Sequence, residues 1–384
     1  MDSALRNSPL LKDYQLQVLS SQYDSLLLLA AYKPQVTGNS FNSYAPVIHG
    51  YGYDEAITNG ANFSALIGVN KQLMNHKLVS AQVESIRLQN QKLSNNYKIT
   101  EQDLQRTIAT QYITTYGGQQ QLKFNREVQQ LLSNEEAILK KLTQQNVYKQ
   151  ADYLAFLVTL QQQQLLVKQI SIQLDNDLAT LNYLTGIIDT ASVELEDPDL
   201  KSPVLPQINN SVFFQQYSID SMNLVNSKLL VGLAYKPKIN LFADAGYNSS
   251  LAYKAYKNFG TSFGISATIP LYDGKQRKLQ ENKIVIAERT RQNYKSFFTD
   301  QYTQQIAQFT RQLRATEELI NDINNQLKYS KSLVEVNGRL LQTGEVRIAD
   351  YILSLNNYLA AKNLVTQNMI SRLQIINQVN YWNR

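Results

Sequence analysis

The sequence predicts a mainly α-helical chain built from two tandem copies of one unit, with a β-barrel contribution from a hairpin in each copy. Three observations lead there. The first is an internal repeat. Displaced by the 198 positions that separate Asp152 from Asp350, Leu73 falls on Leu271, and Ile108-Ala109 on Ile306-Ala307. Ala151-Asp152-Tyr153 then falls on Ala349-Asp350-Tyr351, and Asn182-Tyr183 on Asn380-Tyr381, without a gap. A register held that long means duplication. The second is a span in each copy almost free of Pro and Gly, with apolar residues at helical spacing: Leu93, Tyr97, Leu104, Ile108 and Tyr112. The third is strict alternation after Pro237, where Ile239, Leu241, Ala243, Ala245 and Tyr247 oppose Lys238, Asn240, Asp244, Gly246 and Asn248.

Taken in order, repeat one covers 1–186. A helix over 3–32 carries the stripe Leu10, Tyr14, Leu16, Leu19, Tyr23 and stops at Ala31-Tyr32-Lys33-Pro34, because proline cannot continue it. A hairpin over 35–73 follows. Its second strand alternates well at Phe63, Ala65, Ile67 and Val69; its first, Val36 to Tyr44, alternates poorly, and the connection 45–61 is rich in Gly and Tyr. A helix over 74–148 is about 110 Å long at 1.5 Å per residue, so it needs partners along its length. A turn leads to a return helix over 152–185, closed by Gly186. The leading and return helices together match the long one, so each copy reads as a helix pair with a hairpin at one end.

Residues 187–209 form a linker with Pro198, Pro203 and Pro206 and the acids Glu194, Glu196, Asp197 and Asp199. Repeat two, 210–384, has a helix over 210–235 that ends at Ala234-Tyr235-Lys236-Pro237, and a hairpin over 238–271. A long helix over 274–343 and a return helix over 350–382 complete it. Asn146 and Gly344 share one repeat position, six residues before the aspartates. Both residue types take a left-handed backbone readily, which marks a real turn.

Composition narrows the function. Charged residues are 18% of the 384, below the usual quarter, and the net charge of +6 is diffuse. No basic stripe points to nucleic acid. Without cysteine there are no disulfides or thiolate metal sites. No apolar run is long enough for a transmembrane helix, which leaves a barrel open. No signal peptide is visible, and Met1-Asp2 reads as the start of a shortened chain. Four strands cannot close a membrane barrel, and open edges in lipid are forbidden, so hairpins that span a membrane require oligomerisation. A dimer's eight strands would be filled by side chains. A trimer's twelve leave a lumen, which suits polar walls.

The chain resembles the TolC-like outer-membrane efflux proteins over essentially its whole length. The resemblance is carried by Ile269-Pro270-Leu271-Tyr272-Asp273-Gly274-Lys275, by Gly344 to Asp350 followed by Tyr351-Ile352-Leu353, and by Leu181-Asn182-Tyr183-Leu184-Thr185-Gly186. It implies a homotrimer with a twelve-stranded barrel in outer-membrane lipid and a helical tunnel in the periplasm. It further implies a constricted tip that docks a periplasmic adaptor protein and an inner-membrane transporter. Two departures stand out. Copy one lacks the Pro and Asp-Gly of copy two at its hairpin-to-helix junction, and Ala155 and Leu353 occupy positions where the family often has a second tip carboxylate.

The expected function is passive export of small molecules or proteins, as the exit duct of a tripartite pump or type I secretion system. The alternative is a soluble coiled-coil scaffold. The candidate gate or docking residues are Asn146, Lys149, Asp152, Tyr153, Gly344, Arg347, Asp350 and Tyr351. The aspartates are read either as N-caps of the return helices or as gating groups, which are compatible roles. The candidate lipid-facing residues are Ile239, Leu241, Phe263 and Ile265. No catalytic or metal-ligating constellation is present, and no cofactor is expected. His49 and His76 are isolated and read as surface or helix-start residues, Gly50-Tyr51-Gly52 as loop, and Gly117-Gly118 as a helix irregularity.

Overall fold

The computed structural model describes residues 2–53, 60–188, 193–198, 200, 211–251 and 254–383. Pro203, Pro206 and Asp199 of the linker, and part of the 45–61 connection, lie outside the described residues. The elements are α1 (Asp2–Asn7), α2 (Pro9–Ala31), β1 (Gln35–Ala45), β2 (Gly60–Gln72), α3 (His76–Gln144) and α4 (Gln150–Thr185). The second half has α5 (Val212–Ala234), β3 (Lys238–Ser249), β4 (Phe259–Thr268), α6 (Gln276–Thr343) and α7 (Ile348–Trp382). No described helix is long and apolar enough to cross a membrane.

Three local readings are corrected. The leading helix is two helices. Pro9 takes the first position of α2, where its missing N–H is not needed, and forces Ser8 out of helical conformation. The Ser8 hydroxyl accepts from the Leu11 N–H at 3.4 Å. Gly117-Gly118 is no irregularity, since α3 runs straight through it. A Cβ at Gly117 would lie 2.1 Å from Ile370 Cδ1, so glycine lets α7 pack this closely on α3. The poorly alternating first strand is regular over eleven residues, because full-length hydrogen bonding to β2, from Gln35↔Asn70 to Ala45↔Gly60, sets it rather than its side chains.

Helix starts follow local chemistry. Asn75 Oδ1 accepts from the N–H of Lys77 (3.2 Å) and Leu78 (3.4 Å), so His76 opens α3 as a helix-start residue. The Asp273 carboxylate accepts from the N–H of Arg277 (2.8 Å) and Lys275 (2.9 Å) at the head of α6. Those bonds, led by Arg277, hold its pKa below the ordinary aspartate value.

The chain divides into two compact units. One comprises Met1–Asp13, Asn96–Gln215 and Ser296–Arg384, all helices and linker. Its largest apolar cluster joins Leu132 and Leu139 of α3, Phe156 and Leu160 of α4, Leu341 of α6, and Ile348, Tyr351 and Leu355 of α7. A second, aromatic cluster gathers Phe213, Phe214, Tyr302 and Trp382, with Phe213 5.0 Å from the rings of both Tyr381 and Trp382. Polar ties lie among these contacts. Gln163 Nε2 donates to the Asn125 side chain at 3.0 Å, and Tyr381 OH to Asp103 at 2.8 Å.

The other unit comprises Tyr14–Asn95 and Gln216–Lys295. Its helices are joined by a Lys92–Asp220 pair at 2.9 Å and by Asn226, whose amide donates to the Ala81 carbonyl at 2.9 Å. It holds one antiparallel sheet in the order β1-β2-β3-β4. The two hairpins are zipped together by β2 and β3, from Phe63↔Ser249 to Gln72↔Asn240. β1 and β4 are its edges.

Candidate functional site

The two turns between long and return helices have one backbone design. Asn146 (φ 58°) and Gly344 (φ 80°) are left-handed, as their shared repeat position requires. The N–H groups of Val147 and Glu345 reach back to the carbonyls of Leu142 and Leu340, both at 2.9 Å, closing each long helix with the same paired carbonyl bonds. The return helices then start at Lys149 and Arg347, extended residues whose carbonyls accept from Asp152 and Tyr153, and from Asp350 and Tyr351. The aspartates are therefore not N-caps. They sit three residues inside the helix, where a carboxylate opposes the positive end of the helix dipole.

The two charge couples differ. Arg347 grips Asp350 through Nε (2.8 Å) and Nη2 (3.0 Å), a two-point contact that raises the arginine pKa. Among the described residues no ion pair joins Lys149 to Asp152. The Arg347 side chain is 83% exposed, so water screens the pair and it adds little to stability.

The turns are held to each other by groups the sequence reading passed over. The Tyr148 hydroxyl, from the first turn, lies 2.9 Å from the carbonyl of Leu341 and 2.8 Å from that of Val346 in the second, donating to one at a time. A Cβ at Gly344 would approach Val147 Cγ1 to 2.7 Å, so the turns also meet there. Tyr351 is fully buried, its ring stacked on Phe156 at 6.5 Å, one from each repeat. Its hydroxyl has no hydrogen-bond partner among the described residues. Burial, then the nearby Glu135 carboxylate, push its pKa up. Glu135 is itself buried and its carboxyl is raised by desolvation, although Gln342 Nε2 donates to it at 3.2 Å. Tyr153, the repeat equivalent of Tyr351, is instead satisfied. Its hydroxyl donates to Glu136, which pushes the phenol up to about 12.

Thus all eight candidate residues fall on the two turns and the first helical turn beyond them. Glu135, Glu136, Tyr148 and Gln342 were missed. One signal was available: the repeat positions of Glu135, Glu136 and Tyr148 carry Leu333, Val334 and Val346. Among the described residues no group of three His, Cys, Asp or Glu is placed to hold a metal.

The sheet supplies the other candidate set. Pairing puts Leu241 opposite Ile265, Ala243 opposite Phe263 and Ile239 opposite Ala267 on one face. β2 adds Ala65, Ile67 and Val69 to that face through Tyr247, Ala245 and Ala243. The opposite face carries Asn240 with Ser266, Asp244 with Ser262, and Asn70 and Gln72. Phe242 is an exception there, and its ring fills the space over Gly264, where a Cβ would come within 2.6 Å. Phe263 and Ile265 are 84% and 71% exposed, so no described residue covers the apolar face at these positions.

No protein-family model and no curated protein matches the sequence. Solved structures do match. CusC, described in terms of folding and transmembrane channel formation, superposes with a TM-score of 0.83 over 100% of this chain and 90% of that one, at 14% identity. The outer-membrane protein VceC from Vibrio cholerae gives 0.79 over 100% and 94%, at 12% identity. The open-state MtrE outer-membrane channel of Neisseria gonorrhoeae gives 0.75 over 99% and 87%, at 12% identity. The chain has the TolC-like fold. Within that TolC-like frame the four-stranded sheet and the paired turns are the two features whose chemistry bears on function.

Proposed function

We propose that this chain is an outer-membrane exit duct. Three copies would join their four-stranded sheets edge to edge into a twelve-stranded barrel in outer-membrane lipid, with the helices forming a tunnel on the periplasmic side. The observation that carries the reading is the sheet itself. It has one exposed apolar face, one polar face and two free edges, β1 and β4. A sheet with free edges cannot sit in lipid, because each unpaired backbone group there costs several kcal/mol. Eight strands would leave the interior filled, whereas twelve leave a water-filled lumen for the polar face. Exposed apolar positions on the helices, such as Leu16, Leu26, Leu165 and Ile172, supply further surface for self-association. The TolC-like fold and its outer-membrane channel neighbours support the same reading.

The duct would act in a tripartite efflux pump or a type I secretion system, passing small molecules or proteins without catalysis. Its paired turns, Asn146 to Tyr153 and Gly344 to Tyr351, would form the gated end that a periplasmic adaptor and an inner-membrane transporter engage. The test is mass measurement in detergent followed by conductance in planar bilayers. A trimer that conducts is expected; a stable monomer, or a chain soluble without detergent, sinks the reading in favour of a scaffold. For the gate, Asp350→Ala breaks the Arg347 pair and, with Asp152→Ala, removes two favourable dipole contacts per chain, each worth about 0.3–1 kcal/mol. The double variant should open more often with the trimer intact, and unchanged conductance would leave the aspartates as helix-start residues only.

A further inference from the structure

We infer that Asp244 sets the charge preference of the duct, so that cationic solutes pass the barrel more readily than anionic ones; the inference rests on the exit-duct reading. The polar face of the sheet is almost without charge. β1 contributes Gln35, Thr37, Asn39, Phe41 and Ser43, and β4 contributes Ser262, Gly264, Ser266 and Thr268. Among the described strand residues of this face only Lys238 and Asp244 are ionisable, both on β3. Lys238 is the first residue of the strand and Asp244 lies at its middle, six residues on, or about 20 Å along the strand. The screening length is about 8 Å at physiological salt, so the lysine does not neutralise the aspartate.

The surroundings of Asp244 leave it open to the lumen. It is directly opposite Gly68 on β2 and Ser262 on β4. Gly68 has no side chain to cover it, and the Ser262 hydroxyl donates to Oδ2 at 2.7 Å. Oδ1 has no protein donor among the described residues. A carboxylate held by one hydroxyl would be costly in lipid or against packed protein. Facing water in a lumen, the carboxylate can be solvated instead. Three chains would repeat it as one acidic ring, about 20 Å along the strand from the ring of Lys238. Rings of like-charged side chains are a known source of ion selectivity, by attraction of counter-ions and rejection of co-ions. The gated end offers less. Arg347 offsets Asp350, Asp152 stands beside Lys149 without an ion pair among the described residues, and Ala155 and Leu353 place no further acid one turn on.

The experiment is the reversal potential of the reconstituted trimer in planar bilayers under a KCl gradient, compared for wild type, Asp244→Asn, Asp244→Glu and Asp350→Asn. Asparagine keeps the shape and can still accept from Ser262, so the barrel should assemble unchanged, which mass measurement of the trimer checks. The expected result is a K+ over Cl− permeability ratio above one in wild type and in Asp244→Glu. It should fall to one or below in Asp244→Asn and be kept in Asp350→Asn. Raising the salt to about 1 M, where screening shortens to about 3 Å, should erase the wild-type preference. Pores that conduct with the same ratio in wild type and Asp244→Asn overturn this inference and leave the duct standing. So does a ratio lost in Asp350→Asn and kept in Asp244→Asn. A trimer that never conducts removes the duct and the inference with it.

Discussion

Two neighbouring residues on β4 should answer oppositely to one substitution. Ile265 lies on the apolar face opposite Leu241, and Ser266 lies on the polar face opposite Asn240. In the proposed barrel, Ile265→Arg would place a guanidinium against lipid. The penalty is about 2–4 kcal/mol at the bilayer midplane and falls towards zero near the interfaces. Ile265 is two residues from Phe263, which stands near the strand centre, so it is displaced by about 7 Å along the strand. At a tilt near 45° that is roughly 5 Å of depth, still inside an apolar band about 25 Å tall. A cost of about 2 kcal/mol per chain follows, or about thirty-fold in the folding equilibrium at 1.4 kcal/mol per factor of ten. Ser266→Arg puts the same group into water and should stay within about 0.5 kcal/mol of wild type. The assay is urea-titrated refolding into lipid vesicles, scored as the fraction of trimer that resists unfolding on an unheated gel. Ile265→Leu controls for the loss of the β-branched side chain. Equal tolerance of arginine at both positions, or the reverse order, would show that the apolar face does not meet lipid, and would remove the barrel.

The remaining predictions concern the paired turns and are read by thermal or urea unfolding of the assembled protein. Tyr153→Phe removes a bond to the Glu136 carboxylate and should cost about 0.5–1.5 kcal/mol, whereas Tyr351→Phe removes a buried hydroxyl without a partner and should be neutral or stabilising. Because the Tyr153 phenol is raised to about 12, its stabilisation is complete below the ordinary tyrosine pKa near 10 and fades as pH rises through about 12; Tyr153→Phe should flatten that alkaline loss. Phe156→Ala empties a fully buried site against Tyr351 and should cost about 3–5 kcal/mol, and a loss below 1 would mean the turns are not packed together. Gly344→Ala meets both a positive φ and Val147 and should cost about 1–2 kcal/mol, while Asn146→Gly at the equivalent position should be close to neutral.

The fold was legible because its elements follow from periodicities the sequence carries openly. The 198-residue offset located both turns, and period-two alternation located β3 and β4, with Leu241 and Ile265 on one face as the register has them. Errors came where a local rule overrode the pattern. A single helix over 3–32 passes through Ser8-Pro9, yet proline's ring decides the backbone there. Asp152 and Asp350 look like caps by residue type, yet the extended residues are Lys149 and Arg347. The paired turns were half legible, for a different reason. Matching the copies finds what they share, which is the left-handed position, the aspartate and the tyrosine. Here, however, the turns pack across the copies as well as within each one. Tyr148 bonds the carbonyl of Val346, its own repeat equivalent, and Phe156 stacks on Tyr351 where the equivalent of Phe156 is Ser354. A pair of such turns cannot be filled by two identical side chains, since equivalent positions face unlike neighbours. One copy supplies the large ring or the hydroxyl, and the other supplies the small residue or the bare carbonyl. Shared residues therefore mark the turn, and the divergent pairs Glu135 with Leu333, Tyr148 with Val346 and Phe156 with Ser354 mark what holds one turn to the other.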